Sequence, residues 1–217
     1  MNQSDQFFNL KNLNDEDLNQ LIQNISAHFS FMPNSSFKKN SDAYKEVFLK
    51  QEIADSVTFF GGSFNPFHLG HLECLKLCPE KNIVVVLDRN PHKEWRDIDQ
   101  LFELQEVASK LINTPYSIYP GFWLSKKTNP TSEWITKVSI SKINLLMGDD
   151  SFFHFLSWKE PEIILKRLTK LYIVPRIYQL IDLEEIAKEC KKINFNLEII
   201  FLDDHEYKHL SSTMLRK

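Results

Sequence analysis

Val57-Thr58-Phe59-Phe60-Gly61-Gly62-Ser63-Phe64-Asn65-Pro66-Phe67-His68-Leu69-Gly70-His71 reads as a strand running into a turn shaped to grip phosphate, followed by a helix. The chain has only five glycines in 217 residues, below the usual ~7%, yet Gly61, Gly62 and Gly70 fall in this window. Glycine at 61 and 62 removes two Cβ atoms where the strand exits, so backbone N–H groups can approach a bulky anion and positive φ is allowed. Asn65 followed by Pro66 predicts an N-cap with proline at the first helical position. His68 and His71 would then share one face near the donor-rich, positive end of the helix, a place that attracts anions. Gly70 costs about 1 kcal/mol relative to alanine inside a helix. That cost is understandable if something flat must lie against the backbone there.

Outward from this turn, short apolar runs alternate with helical patterns. Strands are predicted over Val57–Phe60, Ile83–Leu87, Tyr116–Tyr119, Ile143–Met147, Leu171–Val174 and Glu198–Leu202. Helices are predicted over His68–Leu77, Asp97–Ile112, Thr131–Val138, Pro161–Leu168 and Leu183–Lys192. Such alternation makes parallel βαβ units, and runs such as Ile83-Val84-Val85-Val86 suit strands buried on both faces. The fold expected is α/β, a doubly wound Rossmann-like parallel sheet with helices on both faces, over residues 56–217. Ligands of such sheets bind beyond the C-terminal strand ends, which directs attention to the loops after Phe60, Leu87, Met147 and Val174. Residues 1–55 are expected to form a mainly helical N-terminal extension, with apolar spacing at Leu18, Leu21, Ile22 and Ile25 after Asp15-Glu16-Asp17.

Composition narrows the class further. The chain is 42% hydrophobic and 25% charged, with a formal net charge of −3, so a broad nucleic-acid surface, which is usually strongly basic, is not expected. Three cysteines do not make a disulfide framework and suit a reducing compartment. Cys74 and Cys78 stand at helical i,i+4 spacing without a matching ligand set for zinc. The first residues lack a basic leader, and no run approaches the ~18 apolar residues of a membrane span. A cytoplasmic protein without nucleic-acid or membrane partners is expected; the sequence is compatible with a homo-oligomer. His28, His154, His205 and His209 show no partner pattern, and surface or packing roles are expected for them.

Three further motifs follow the first. Asn90-Pro91-His92-Lys93 comes after the second predicted strand, Met147-Gly148-Asp149-Asp150-Ser151 with Trp158 after the fourth, and Leu210-Ser211-Ser212-Thr213-Met214-Leu215-Arg216 near the end. With Gly-Gly-Ser-Phe-Asn-Pro-x-His-x-Gly-His, the set resembles the His-x-Gly-His nucleotidyltransferase superfamily. Residues 57–216 as a whole are similar to bacterial nicotinate or nicotinamide mononucleotide adenylyltransferases. Pantetheine-phosphate adenylyltransferases and glycerol- or choline-phosphate cytidylyltransferases carry close variants of the first motif, so that motif alone does not fix the substrate.

The resemblance implies adenylyl transfer from ATP to a pyridine mononucleotide, with Mg²⁺ arriving on the ATP. It gives His71 the α-phosphate and His68 the neighbouring bridging or β-phosphate oxygens. Gly61, Gly62, Ser63, Phe64 and Gly70 would contact ATP from one side. Ser211 as an N-cap, with Ser212, Thr213 and Arg216, would contact it from the other. Asn65, Lys93, Thr131, Gly148, Asp150 and Arg176 would serve the second substrate, and Trp158 would stack on its pyridine ring, a flat π-rich partner for an indole. Trp134 is expected in the core. The chain differs from the family in its long stretch before the first strand and in stopping at Lys217. The N-terminal helices are expected to cover surface that a longer C-terminus covers in relatives. Another phosphate ester as acceptor, or a nucleotide sensor without turnover, are the alternatives.

Overall fold

The structure, a computed structural model, describes residues 55–87, 106–107, 110–111, 113–119, 130–138 and 140–215. The N-terminal helices expected over 1–55, the Asn90–Lys93 motif, most of the Asp97–Ile112 helix, and Arg216 lie outside these residues. Helical geometry is present at 106–107 and 110–111, where Val107 and Leu111 are buried.

Among the described residues six strands make one sheet: β1 (Ser56–Gly62), β2 (Ile83–Leu87), β3 (Ser117–Tyr119), β4 (Lys142–Gly148), β5 (Leu168–Val174) and β6 (Glu198–Phe201). All pairings are parallel and the order is β3-β2-β1-β4-β5-β6. This is the doubly wound arrangement, in which the chain leaves β1 in one direction and returns to its other side as β4. Right-handed crossovers in the two directions put the intervening helices on opposite faces. Those helices are α1 (Leu69–Leu77), α2 (Thr131–Ile135), α3 (Asp149–Phe153), α4 (Pro161–Arg167), α5 (Leu180–Ile193) and α6 (Ser212–Leu215), with a 3₁₀ turn over Phe155–Ser157.

The apolar runs account for the sheet's position. Every residue of β2 is buried, and the interior of β4 is buried from Ile143 to Met147, as strands covered on both faces require. Asn144 is the polar exception; its Nδ2 donates to Thr58 Oγ1 of the paired strand at 3.2 Å. Trp134 of α2 is 7% exposed and meets Phe59 of β1 edge to face, centroids 5.1 Å apart. It is a core residue, as expected. None of the helices among the described residues is long and apolar enough to cross a membrane.

Candidate active site

The switch in strand order lies between β1 and β4, and a cavity of about 290 Å³ opens at their C-terminal ends. Its wall takes Phe60–Phe64 from the exit of β1, His68, Gly70, His71 and Cys74 from α1 and its approach, and Met147, Gly148, Asp150 and Ser151 from the exit of β4. Arg176 after β5, His205 after β6 and Ser212 of α6 complete it. Three of the four loops singled out by the sequence thus meet in one place. The loop after Leu87 lies outside the described residues.

The first turn is built differently from the sequence expectation. The helix starts at Leu69 with His68 as its N-cap, and the Asn65–Pro66 peptide, expected to open the helix, is cis and lies ahead of it. Phe64 and Phe67 are buried (3% and 1% exposed) and pack on one another, centroids 5.6 Å apart, with Phe60 beside Phe64 at 5.2 Å. Burying both rings keeps the chain in an irregular turn through Phe67 and delays the helix. Nor do these glycines supply positive φ: none of the described glycines has it, whereas Phe64 does, at φ 45°. Gly62 is needed for space, because a Cβ there would stand 3.0 Å from the Phe64 ring, and Gly61 borders open cavity. The flat object against Gly70 is the chain's own His68 imidazole, 3.0 Å from a would-be Cβ, with the Tyr207 carbonyl oxygen at 3.1 Å.

His68 and His71 stack at 3.7 Å between centroids, inclined by 24°. The His68 backbone N–H donates to His71 Nδ1 at 3.2 Å, which leaves the ring proton of a neutral His71 on Nε2 and makes that nitrogen a donor. Phe64 and Phe67 flank His71 at 5.0 and 5.2 Å, so the ring's direction is set by packing. His68 is 7% exposed, and neither of its ring nitrogens has a hydrogen-bond partner. Burial, reinforced by the Arg176 and Lys110 charges, lowers its pKa to about 4. At neutral pH His68 is therefore an uncharged N–H donor.

The folded pKa of His68 lies below its ordinary 6.5, so the unfolded chain takes up its proton first as pH falls. Stability from this group is complete above about pH 6.5 and is lost on acidification toward pH 4. Denaturant melts at pH 7, 5.5 and 4.5 should show a steeper decline in wild type than in His68→Asn. Parallel declines would remove His68 as the source.

The third motif divides its two acids. Asp149 is fully buried, and its Oδ2 accepts the backbone N–H groups of Arg176, Ile177 and Tyr178 at 2.7, 2.8 and 2.9 Å. Asp150 faces the cavity; its Oδ2 receives Arg176 Nη1 at 3.0 Å, while its buried Oδ1 has no hydrogen-bond partner. Gly148 makes this geometry feasible, since a Cβ there would lie 2.5 Å from Asp150 Oδ1 and 3.1 Å from Arg176 Cδ. Among the described wall residues, Arg176 is the only permanent cation and Asp150 the only carboxylate. Affinity for an anion here rests on N–H groups and imidazoles more than on net charge.

The fourth motif closes on the first. Ser211 caps α6, its Oγ accepting the Met214 N–H at 3.2 Å, as expected. Ser212 Oγ donates to the Pro66 carbonyl at 3.0 Å, and Arg176 Nη2 donates to the Leu210 carbonyl at 2.9 Å. One arginine therefore joins the third motif to the fourth, and one serine joins the fourth to the first.

Trp158 and Thr131 do not line the cavity. The indole is partly buried, edge to face with Phe155 at 5.0 Å, and Thr131 opens α2. Lys93, Arg216 and the Thr213 side chain lie outside the described residues. His205, expected on the surface or in packing, is instead a wall residue. Cys74 also lines the cavity, its thiol pushed up to about 12 chiefly by burial, and Cys74, Cys78 and Cys190 are all free and buried.

A family model described as Cytidylyltransferase-like matches residues 59–217. The chain is 28% identical over 172 residues to a "Probable nicotinate-nucleotide adenylyltransferase" of Caldicellulosiruptor bescii, covering 74% of this chain and 85% of that protein. A protein of the same description from Aquifex aeolicus is 29% identical over 163 residues, covering 65% of this chain and 90% of that one. Another, from Pelagibacter ubique, is 28% identical over 174 residues, covering 74% and 92%.

Proposed function

The chain belongs to the cytidylyltransferase-like family and is a nucleotidyltransferase, and from that premise we propose that it joins ATP to nicotinate mononucleotide, forming the dinucleotide and pyrophosphate. The observation that carries this reading is the stacked His68–His71 pair at the head of α1, on the wall of a cavity at the sheet's switch point. The relatives' printed substrate, nicotinate nucleotide, supports the acceptor.

In this reaction a phosphate oxygen of the mononucleotide attacks the α-phosphorus of ATP. The bond from that phosphorus to the oxygen bridging it to the β-phosphate breaks, and pyrophosphate leaves with the electron pair. The nucleophile is already an anion at neutral pH, so the protein has no proton to remove. Its task is alignment, together with donors aimed at charge building on the α-phosphate and the leaving group. His71 Nε2 donates to the α-phosphate, and His68, held neutral by burial, donates to the bridging or β-phosphate oxygens. The His71 and Leu72 N–H groups already donate to the His68 carbonyl, so at the head of α1 only the Leu69 and Gly70 N–H groups are left to serve as further donors. Gly61, which borders open cavity, leaves room for the phosphates, and Asp150 Oδ1 accepts a sugar hydroxyl.

Magnesium enters as part of the ATP. Among the described residues no group of three His, Cys, Asp or Glu side chains is placed to hold a metal, and Asp150 is already paired with Arg176. In this reading the ion would be carried mainly by phosphate and water.

Trp158 stands outside the described cavity wall, and its pairing with the pyridine ring is proposed from the family resemblance alone. Trp158→Ala should weaken mononucleotide binding about three- to tenfold, the range of an aromatic pair, with ATP affinity unchanged; equal loss of both would contradict the stacking. The function is tested by incubating the full chain with Mg-ATP and each mononucleotide while following pyrophosphate. Release with nicotinate mononucleotide ahead of its amide and of phosphopantetheine is expected. ATP binding with no release for any acceptor would replace the reading with a nucleotide sensor.

A further inference from the structure

His205 has a position that the adenylyl-transfer reading leaves unused. Its loop is held at several points. Asp204 Oδ1 accepts the His205 backbone N–H at 2.8 Å, and Lys208 Nζ reaches Asp204 Oδ2 at 2.5 Å. The Leu210 N–H donates to the Tyr207 carbonyl at 3.0 Å, and Arg176 Nη2 grips the Leu210 carbonyl. The Tyr207 carbonyl in turn abuts Gly70 beside the His68 ring. The result is a fixed arm that carries a third imidazole to the wall already formed by His68 and His71.

Both ring nitrogens of His205 are buried and lack a hydrogen-bond partner. A buried polar group in that condition costs free energy unless a ligand or ordered water meets it. The ionisable groups around it are Asp204 and Lys208 on its own loop, Glu73 on α1, and Arg176 after β5. Glu73 is bonded to Lys76, Asp204 to Lys208, and Arg176 to Asp150. The nearby charges are thus engaged with other partners, and burial, the largest influence, lowers the His205 pKa.

The geometry points to His205 as a third imidazole ligand of the bound triphosphate, donating from a ring nitrogen to a phosphate oxygen alongside His68. A polyphosphate chain is the part of the ligand rich in acceptors alone, and the same wall carries Ser212 and, from the head of α1, His68 and Gly70. A neutral imidazole suits the site because it brings a donor without attracting buffer anions strongly to the free enzyme. This assignment rests on the adenylyl-transfer reading and adds a residue to its site.

The test uses the full chain, with tripolyphosphate and adenosine as separate calorimetric probes on wild type and His205→Asn. The Kd for tripolyphosphate is expected to rise about tenfold or more, the loss of one hydrogen bond to a charged group, with adenosine binding and the melting temperature unchanged. An unchanged Kd for tripolyphosphate, or equal weakening of adenosine, overturns the assignment. Should His205→Asn fail to fold, histidine side-chain ¹⁵N shifts of the wild type on adding tripolyphosphate decide instead. A shift at His205 supports direct contact, and none overturns it. Failure of the reading beneath would look different: wild type itself would release no pyrophosphate from ATP with any acceptor.

Discussion

His71→Ala is expected to lower kcat a hundred- to thousandfold while KM for ATP and for the mononucleotide stays within a few-fold. The magnitude follows from removing one preorganised donor to charge that develops in the transition state, typically about 3 kcal/mol. The division between kcat and KM follows from when the contact matters. A donor aimed at the α-phosphate gains most as that group becomes five-coordinate, so its loss appears in turnover rather than in ground-state binding. The ring is well placed for this role, since Nδ1 is occupied by the His68 N–H and the phenyl rings of Phe64 and Phe67 fix its plane. Alanine would also leave a gap between those rings and His68, so the melting temperature must be measured alongside. His71→Gln, which keeps an N–H donor and much of the volume, should recover part of the rate. A His71→Ala enzyme that is folded and turns over near the wild-type rate would remove His71 from the chemistry.

Where the chain's own chemistry is local, the sequence discloses the structure. β2 coincides with its apolar run because Ile83–Leu87 is buried on both faces and bounded by polar residues. β4 gains Lys142 and Gly148, and β5 gains Leu168, Thr169 and Lys170, because pairing with neighbours extends past the apolar stretch. The cap signal at Asn65–Pro66 was a local rule overridden by tertiary packing: two phenylalanines bury themselves before the helix can begin. Gly70 was legible as a close approach, but the sequence could not say that the neighbour was His68 itself. His205 was unreadable for a related reason. Its place on the cavity wall depends on the chain returning from β6 toward the first turn, where Ser212 bonds the Pro66 carbonyl. Nothing in residues 203–209 alone signals that return. The acidic pair Asp149-Asp150 was visible, yet its division of labour depends on the turn from β4 into α3, where one carboxylate points inward and the other toward the cavity.

That division yields the second large effect. Asp149→Ala is expected to destabilise the fold by about 3 kcal/mol, because one buried carboxylate oxygen serves three successive backbone donors and its removal leaves them without an acceptor. For a chain of this size that corresponds to a drop in melting temperature of roughly 6–12 °C. Asp149→Asn keeps an oxygen in place but loses the charge that strengthens these bonds, so it should fall between the two. The consequence for activity passes through Arg176, whose backbone the carboxylate holds and whose guanidinium joins Asp150 to the Leu210 carbonyl ahead of α6. If Asp149 acts by holding that arginine, Arg176→Ala should lower kcat/KM much less in an Asp149→Ala background than in wild type. Additive losses in the double variant would mean that Asp149 stabilises the fold without positioning Arg176. A single Asp149→Ala variant melting within about 2 °C of wild type, against the 2–4 °C expected for each kcal/mol, would show that the three N–H groups find other acceptors.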